Sequence, residues 1–181
     1  YALIGMQDNA RALSAGFKYI IAGGLASIFF LLGTIFLYRV SGTLNIDMMA
    51  ESGVNMHPIG MVALFLLFIS LLIELKPFPI NGWALDVYQA ADSGIVSLIA
   101  AVTSGAMFYA FYKVLPLLPV HWIPFIGGIG MLTFFFSNLM GLKQTDMKRL
   151  LGYSSVGQMG LLVGALALIL QMQDSYVYYT L

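Results

Sequence analysis

The chain has 181 residues, of which 60% are hydrophobic and 9% charged, with a mean hydropathy of +0.91. Soluble domains carry about 45–50% apolar and about 25% charged residues, so this composition excludes an ordinary water-facing enzyme and a disordered chain. Eight Lys and Arg against eight Asp and Glu leave no net charge and no basic patch for nucleic acid, and the lack of cysteine excludes disulfides and iron–sulfur clusters held by this chain.

What remains is an integral membrane protein of the all-α polytopic class. A spanning helix needs about 20 mostly apolar residues. Such stretches lie near residues 19–38, 59–75, 94–115, 122–142 and 150–170. Lys18 and Arg39 bracket the first. The second is entered through Met56-His57-Pro58 and runs into Glu74, Lys76, Pro77 and Pro79, so it reads as broken through 76–93. Pro116 and Pro119 end the third. Membrane strands would be about 10 residues long and alternating, and these runs are longer and apolar on every side. The chain opens at Tyr1 without a signal-peptide pattern and ends in the apolar stretch Tyr176–Leu181. It therefore reads as an internal segment of a longer protein, with Tyr1–Met6 the tail of an earlier helix and Tyr176 the start of a later one.

Basic residues set the expected orientation. Arg11, Lys18, Lys76, Lys143, Lys148 and Arg149 collect on one side of the alternating spans, and Arg39 and Lys113 on the other. The richer side is expected to be cytoplasmic, or the matrix or stroma in an organelle. Lys148 and Arg149 read as topology determinants. Asp86 reads as a cap for the helical piece after the break, Asp92 as the N-cap of the third span, and Tyr153, Ser154 and Ser155 as the start of the fifth, where they would cap it or hydrogen-bond water. Gly23-Gly24 and Gly127-Gly128 lie inside spans and allow close helix contact. The histidines His57 and His121 have no ligand-like spacing, and no phosphate-cradling loop is present.

Chemistry concentrates between Glu74 and Gln89. Each proline lacks an N–H and clashes with the preceding turn, and the freed carbonyls need partners that lipid cannot offer. Broken membrane helices of this kind line hydrated cavities and mark ion sites in transporters. A charge at mid-membrane costs about 2.5–3.5 kcal/mol on insertion scales. Two placements of Glu74 and Lys76 are open: the protein interior, or the interface with both side chains reaching the headgroups. Their i, i+2 spacing points them apart on an intact helix, so direct interaction needs the proline distortion. A neighbouring carboxylate favours a charged lysine and burial a neutral one, a balance that lets a lysine hold and release a proton.

The run Lys148-Arg149-Leu150-Leu151-Gly152-Tyr153-Ser154-Ser155-Val156-Gly157-Gln158-Met159-Gly160 resembles the "LKRLLAYSSIGHMG" signature of the antiporter-like membrane subunits of respiratory complex I. That family also includes the multisubunit Mrp cation/proton antiporters and the membrane-bound hydrogenases. Phe78-Pro79 through Trp83 and Asp86-Val87-Tyr88-Gln89 resemble its "PFHxWxPDVYQGAP" stretch, and the "DVYQ" wording leans toward the subunit N type. Phe17-Lys18-Tyr19 and Leu37-Tyr38 followed by Ser41-Gly42-Thr43-Leu44 resemble "LKYF…LLYGxTGTL". These matches follow one another in family order over nearly the whole chain.

The resemblance implies a segment of an antiporter-like fold of about fourteen helices, with inverted repeats and a discontinuous helix. The chain would hold roughly helices six to ten. The family moves protons along a hydrated axis, using a glutamate on helix five and lysines on helices seven, eight and twelve. Here the seventh-helix lysine position is Glu74, and Lys76 stands two residues later. Asn81 replaces the family histidine before Trp83, while Leu85 and Asp92 replace two family prolines. The eighth-helix lysine position falls near Thr103–Gly105, and the nearest lysine is Lys113. The candidate ion path is therefore Glu74, Lys76, Asn81, Thr103, Ser104 and Lys113, with the hydroxyls of Thr103 and Ser104 holding water.

By this resemblance the chain is a non-redox membrane subunit of a complex I-related NADH:quinone oxidoreductase. It would couple electron transfer in partner subunits to translocation of protons or Na⁺. Quinone and redox centres are expected in those partners and none in this chain. The partners are other membrane subunits and the lipid bilayer, in a cytoplasmic membrane or an organellar inner or thylakoid membrane. The alternatives are an Mrp-type antiporter or membrane-bound hydrogenase subunit, and a non-pumping structural subunit.

Overall fold

A computed structural model describes Ile4 and residues 9–179, with side chains as far as residue 172. Among the described residues all regular structure is helical. The eight α-helices named here are α1 (Ala10–Ser41), α2 (Ile46–Glu51), α3 (Pro58–Leu75), α4 (Gly82–Ala90), α5 (Ser93–Leu98), α6 (Ser104–Val114), α7 (Ile123–Gly141) and α8 (Met147–Tyr179). Among the described residues, five helical stretches are long and apolar enough to cross a membrane: Ala10–Ser41, Pro58–Leu75, Ser93–Leu117, Val120–Gly141 and Met147–Met172.

The chain forms two compact units. The first comprises Tyr1–Leu75 and Ala90–Pro119. Asn9 starts α1 by accepting a hydrogen bond from the Arg11 N–H, and Gly42 ends it in the left-handed region at φ 68°. That conformation suits glycine, which has no Cβ to clash. α1 buries Ala12, Ala15, Ala22, Ala26 and Leu37, while Leu13, Phe17, Ile28, Leu31 and Ile35 point outward. A helix apolar on both faces suits a protein core on one side and hydrocarbon on the other. α1 packs along α3, and a Cβ added at Gly33 would lie 2.9 Å from the Ala63 carbonyl oxygen. Phe68 of α3 meets Phe111 of α6 at 6.3 Å between ring centroids. Between α5 and α6 the helix widens into a π-turn over Ile99–Thr103.

The second unit comprises Lys76–Gln89 and Val120–Leu181. Its centre is the antiparallel pair α7 and α8, which approach through glycines. A Cβ on Gly130 would lie 2.6 Å from the Gly164 nitrogen and 2.7 Å from the Gly160 oxygen. Small residues at these positions let two backbones pack where side chains would hold them apart.

The helix after Ile59 is discontinuous, as its prolines require. α3 stops at Leu75, and α4 begins only at Gly82. Other boundaries differ from the sequence reading. α1 begins at Ala10, because Asn9 caps it and Arg11 and Lys18 are carried inside the helix. α8 begins at Met147, so Tyr153, Ser154 and Ser155 lie beyond its first turn and cannot cap it. Asp146 does so, accepting from the Arg149 N–H at 3.0 Å. Asp86 does not cap α4 either: it is in that helix's interior. Asp92 holds the N-cap position of α5 without a side-chain cap bond; its carbonyl accepts from Val96. The stretch from Tyr176, expected to open a new helix, continues α8 as far as Tyr179. The expected helix tail at Tyr1–Met6 lies outside the described residues apart from Ile4.

Candidate functional site

The site begins where α3 ends. Lys76 follows Leu75 with a φ of 59°, the left-handed conformation that commonly terminates a helix and is normally taken by glycine. In an L-residue it costs roughly 1–2 kcal/mol. Pro77 follows at once and has no N–H to continue the ladder. The link then folds tightly, with the Ile80 N–H donating to the Pro77 carbonyl at 2.7 Å and a cis Phe78–Pro79 peptide. Its backbone is tied to α7: the Phe78 N–H donates to Thr133 Oγ1 at 3.1 Å, and Phe78 stacks on Phe136 with centroids 4.6 Å apart.

These constraints direct the Lys76 side chain inward. It is 3% exposed, and its Nζ donates to the Tyr88 hydroxyl at 3.0 Å. The same nitrogen lies 5.4 Å from the Tyr88 ring centroid. Tyr88 is itself buried, against the small face of α8. A Cβ on Gly152 would come within 2.7 Å of Tyr88 Cδ2 and 3.2 Å of Leu85 Cδ2. Gly152 therefore permits α4 to lie on α8.

A second set of contacts lies one step around α4. Arg149 Nη1 donates to Gln89 Oε1 at 2.9 Å and to Asp86 Oδ1 at 3.3 Å. Gln89 Nε2 donates to Asp146 Oδ2 at 3.2 Å. Asp146 is held below its ordinary carboxyl value of 3.8, chiefly by the Arg149 backbone N–H and then by Gln89. Hydrogen bonds to a carboxylate favour its charged form.

Of the residues picked out in the sequence, Lys76 and Asn81 stand in the second unit. Asn81 is buried and its carbonyl accepts from the Ala84 and Leu85 N–H groups, opening α4. Its Nδ2 and the buried Ser137 Oγ on α7 have no hydrogen-bond partner. Buried polar atoms of this kind are commonly satisfied by water. Glu74, Thr103, Ser104 and Lys113 stand in the first unit. Glu74 is half-buried in the last turn of α3. Ser104 is buried and donates to the Ile99 carbonyl at 3.2 Å across the π-turn that ends at Thr103. Lys113 is exposed in the last turn of α6, with its Nζ 5.7 Å from the Tyr109 ring centroid.

Sequence reasoning did not single out Tyr88, Thr133, Asp146 or the pairing of Arg149 with Asp86. A signal was available in part. Leu85 and Tyr88, and Asp86 and Gln89, are i, i+3 pairs, which share a helix face.

Known proteins match this chain along its length. The family described as NADH:quinone oxidoreductase/Mrp antiporter, transmembrane, matches residues 1–181. Subunit N of NADH-quinone oxidoreductase from Rhodococcus opacus (strain B4) is 35% identical, over 100% of this chain and 35% of its own. The fold is similar to a chain of the membrane-bound sulfane sulfur reductase, an archaeal respiratory membrane complex. That similarity has a TM-score of 0.85 and 35% identity, covering 92% of this chain and 36% of that one. It is also similar to a chain of respiratory complex I from Thermus thermophilus, with a TM-score of 0.77 and 31% identity over 92% and 36%. The chain thus spans about a third of the length of the relatives it matches. With its helical, membrane-spanning fold and a family match from the first residue to the last, the chain is an integral membrane protein that belongs to the NADH:quinone oxidoreductase/Mrp antiporter transmembrane family.

Proposed function

We propose that this chain is part of a subunit N-type, antiporter-like membrane subunit of a complex I-related oxidoreductase. Electron transfer in partner subunits drives proton or Na⁺ movement through it. The quinone and the redox centres belong to those partners; this chain, without cysteine, supplies the ion path. Lys76 is the charge centre of that path, in the stretch of broken helix where the family places its ion route.

The observation that carries this reading is the burial of Lys76. An ammonium reaching for headgroups would be exposed at the interface. This one is 3% exposed at the helix break and donates to a buried tyrosine. An ionisable side chain kept inside a membrane protein is costly and marks an ion path. Glu74, Asn81, Thr103 and Ser104 are the further path residues, with Asn81 and the hydroxyls serving to hold water. Lys113, exposed at the end of α6, is the remaining candidate of the path.

The test is ion movement per electron in the complete complex reconstituted into vesicles. Lys76→Met is expected to lower that ratio several-fold while the complex still assembles. An unchanged ratio in both Lys76→Met and Glu74→Gln would make this a scaffold subunit instead.

A further inference from the structure

Lys76 and Arg149 are far apart in sequence, yet both act on α4. The helix presents two adjacent faces. Leu85 and Tyr88 lie against Gly152 and, through the tyrosine hydroxyl, meet Lys76. Asp86 and Gln89 meet Arg149, and Gln89 also meets Asp146. On α8, Arg149 and Gly152 are themselves one turn apart on a shared face. The α4–α8 contact is therefore pinned twice in a single register. Gly152 gives the closeness but no direction, since it has no side chain. Arg149 gives the direction, because its Nη1 alone donates to two acceptors on α4 at once.

We infer that Arg149 is a positioning residue for Lys76: its clamp on Asp86 and Gln89 holds α4 rotated so that the Tyr88 hydroxyl accepts from the Lys76 ammonium. The clamp is partly exposed, with side-chain exposures of 31% for Arg149 and 28% for Asp86, while the pair it governs is buried. An isolated half-exposed ion pair contributes little to stability. The consequence of this one lies in its geometry. Turning α4 by one residue, about 100°, would carry Tyr88 away from Lys76 and leave the ammonium without that acceptor. The inference rests on the reading of Lys76 as the charge centre, and the experiment separates the two.

Two readouts are made on the complete complex. The first is ions moved per electron, a ratio that does not fall merely because less complex assembles. The second is trace acetylation of the Lys76 amine by acetic anhydride at fixed pH, read by mass spectrometry, which needs no ion movement. Arg149→Ala and Tyr88→Phe are each expected to raise Lys76 acetylation several-fold and to lower the ion ratio. The double variant should match Tyr88→Phe alone, because both changes remove one interaction. Arg149→Lys, which keeps the charge on a shorter side chain that reaches the two acceptors less well, should fall between wild type and Arg149→Ala. If Arg149→Ala fails to assemble, Asp86→Asn takes its place with the same expectation. Acetylation unchanged in Arg149→Ala, or effects that add in the double variant, would overturn the positioning role. An ion ratio unchanged in Lys76→Met, with acetylation still raised by Arg149→Ala, would overturn the ion-path reading and leave the positioning role standing.

Discussion

Lys76 carries two requirements in one residue, an amine and a left-handed backbone. They can be separated by substitution. Lys76→Met removes the amine and keeps the unfavourable φ, whereas Lys76→Gly removes the amine and relieves it. Relief of a left-handed L-residue amounts to roughly 1–2 kcal/mol. Lys76→Gly is therefore expected to unfold at a higher temperature than Lys76→Met, with both equally deficient in ion movement; thermal unfolding of the purified complex checks this. Asp146 gives a pH-dependent counterpart. Its folded carboxyl titrates below its ordinary value of 3.8, so its stabilising contribution is complete above that value and is lost as pH falls through the lower, folded one. Asp146→Ala should lower the unfolding temperature at neutral pH, and the difference from wild type should close as the solution is acidified below about pH 4.

At the scale of elements, glycine positions divide into those that are filled by a neighbour and those that are not. Gly160 meets the Gly130 oxygen and the Phe134 nitrogen within 2.8 Å of an added Cβ, while nothing lies within 4 Å of one on Gly128. Gly160→Val should destabilise the subunit by about 1–3 kcal/mol or more, and Gly128→Ala should change little. Denaturant titration of the purified subunit distinguishes them. The broken helix was legible in the sequence, because Pro77 and Pro79 forbid continuation by covalent structure alone. The start of α8 was not: it depends on Asp146 turning its carboxylate back onto the Arg149 N–H, a choice that hydropathy does not register. The π-turn at Ile99–Thr103 is equally silent in composition, since four of its five residues are ordinary apolar ones. Within the site, Lys76 could be named from its position at the break. Its partner Tyr88 could not, because that contact depends on the left-handed turn at Lys76 and on the space left by Gly152.

For the molecule as a whole, sidedness is the property most open to test. The distribution of basic residues predicts that Lys143–Arg149 and Arg39–His57 lie on opposite faces. The hydrogen bonds from Arg149 to Asp86 and Gln89 agree with one part of this, since they bring the segment after the break to the same end as the loop before α8. The sequence has no cysteine, so a single introduced one reports alone. Cysteines at Lys143 and at Asn55 should react with an impermeant thiol reagent from opposite faces of sealed vesicles. Labelling from the same face would overturn this sidedness.

The glycine seam between α7 and α8 bears on how force travels. Most helix pairs accommodate motion by small slides, absorbed as interlocked side chains change rotamer. Where Gly130 meets Gly160 and Gly164, backbone rests on backbone and there are no rotamers to change. The pair is thereby a stiff lever with Arg149 near one end. A displacement applied at that end is expected to move the pair as one piece, carrying with it the Lys76–Asn81 link that Phe78 ties to Thr133 and Phe136.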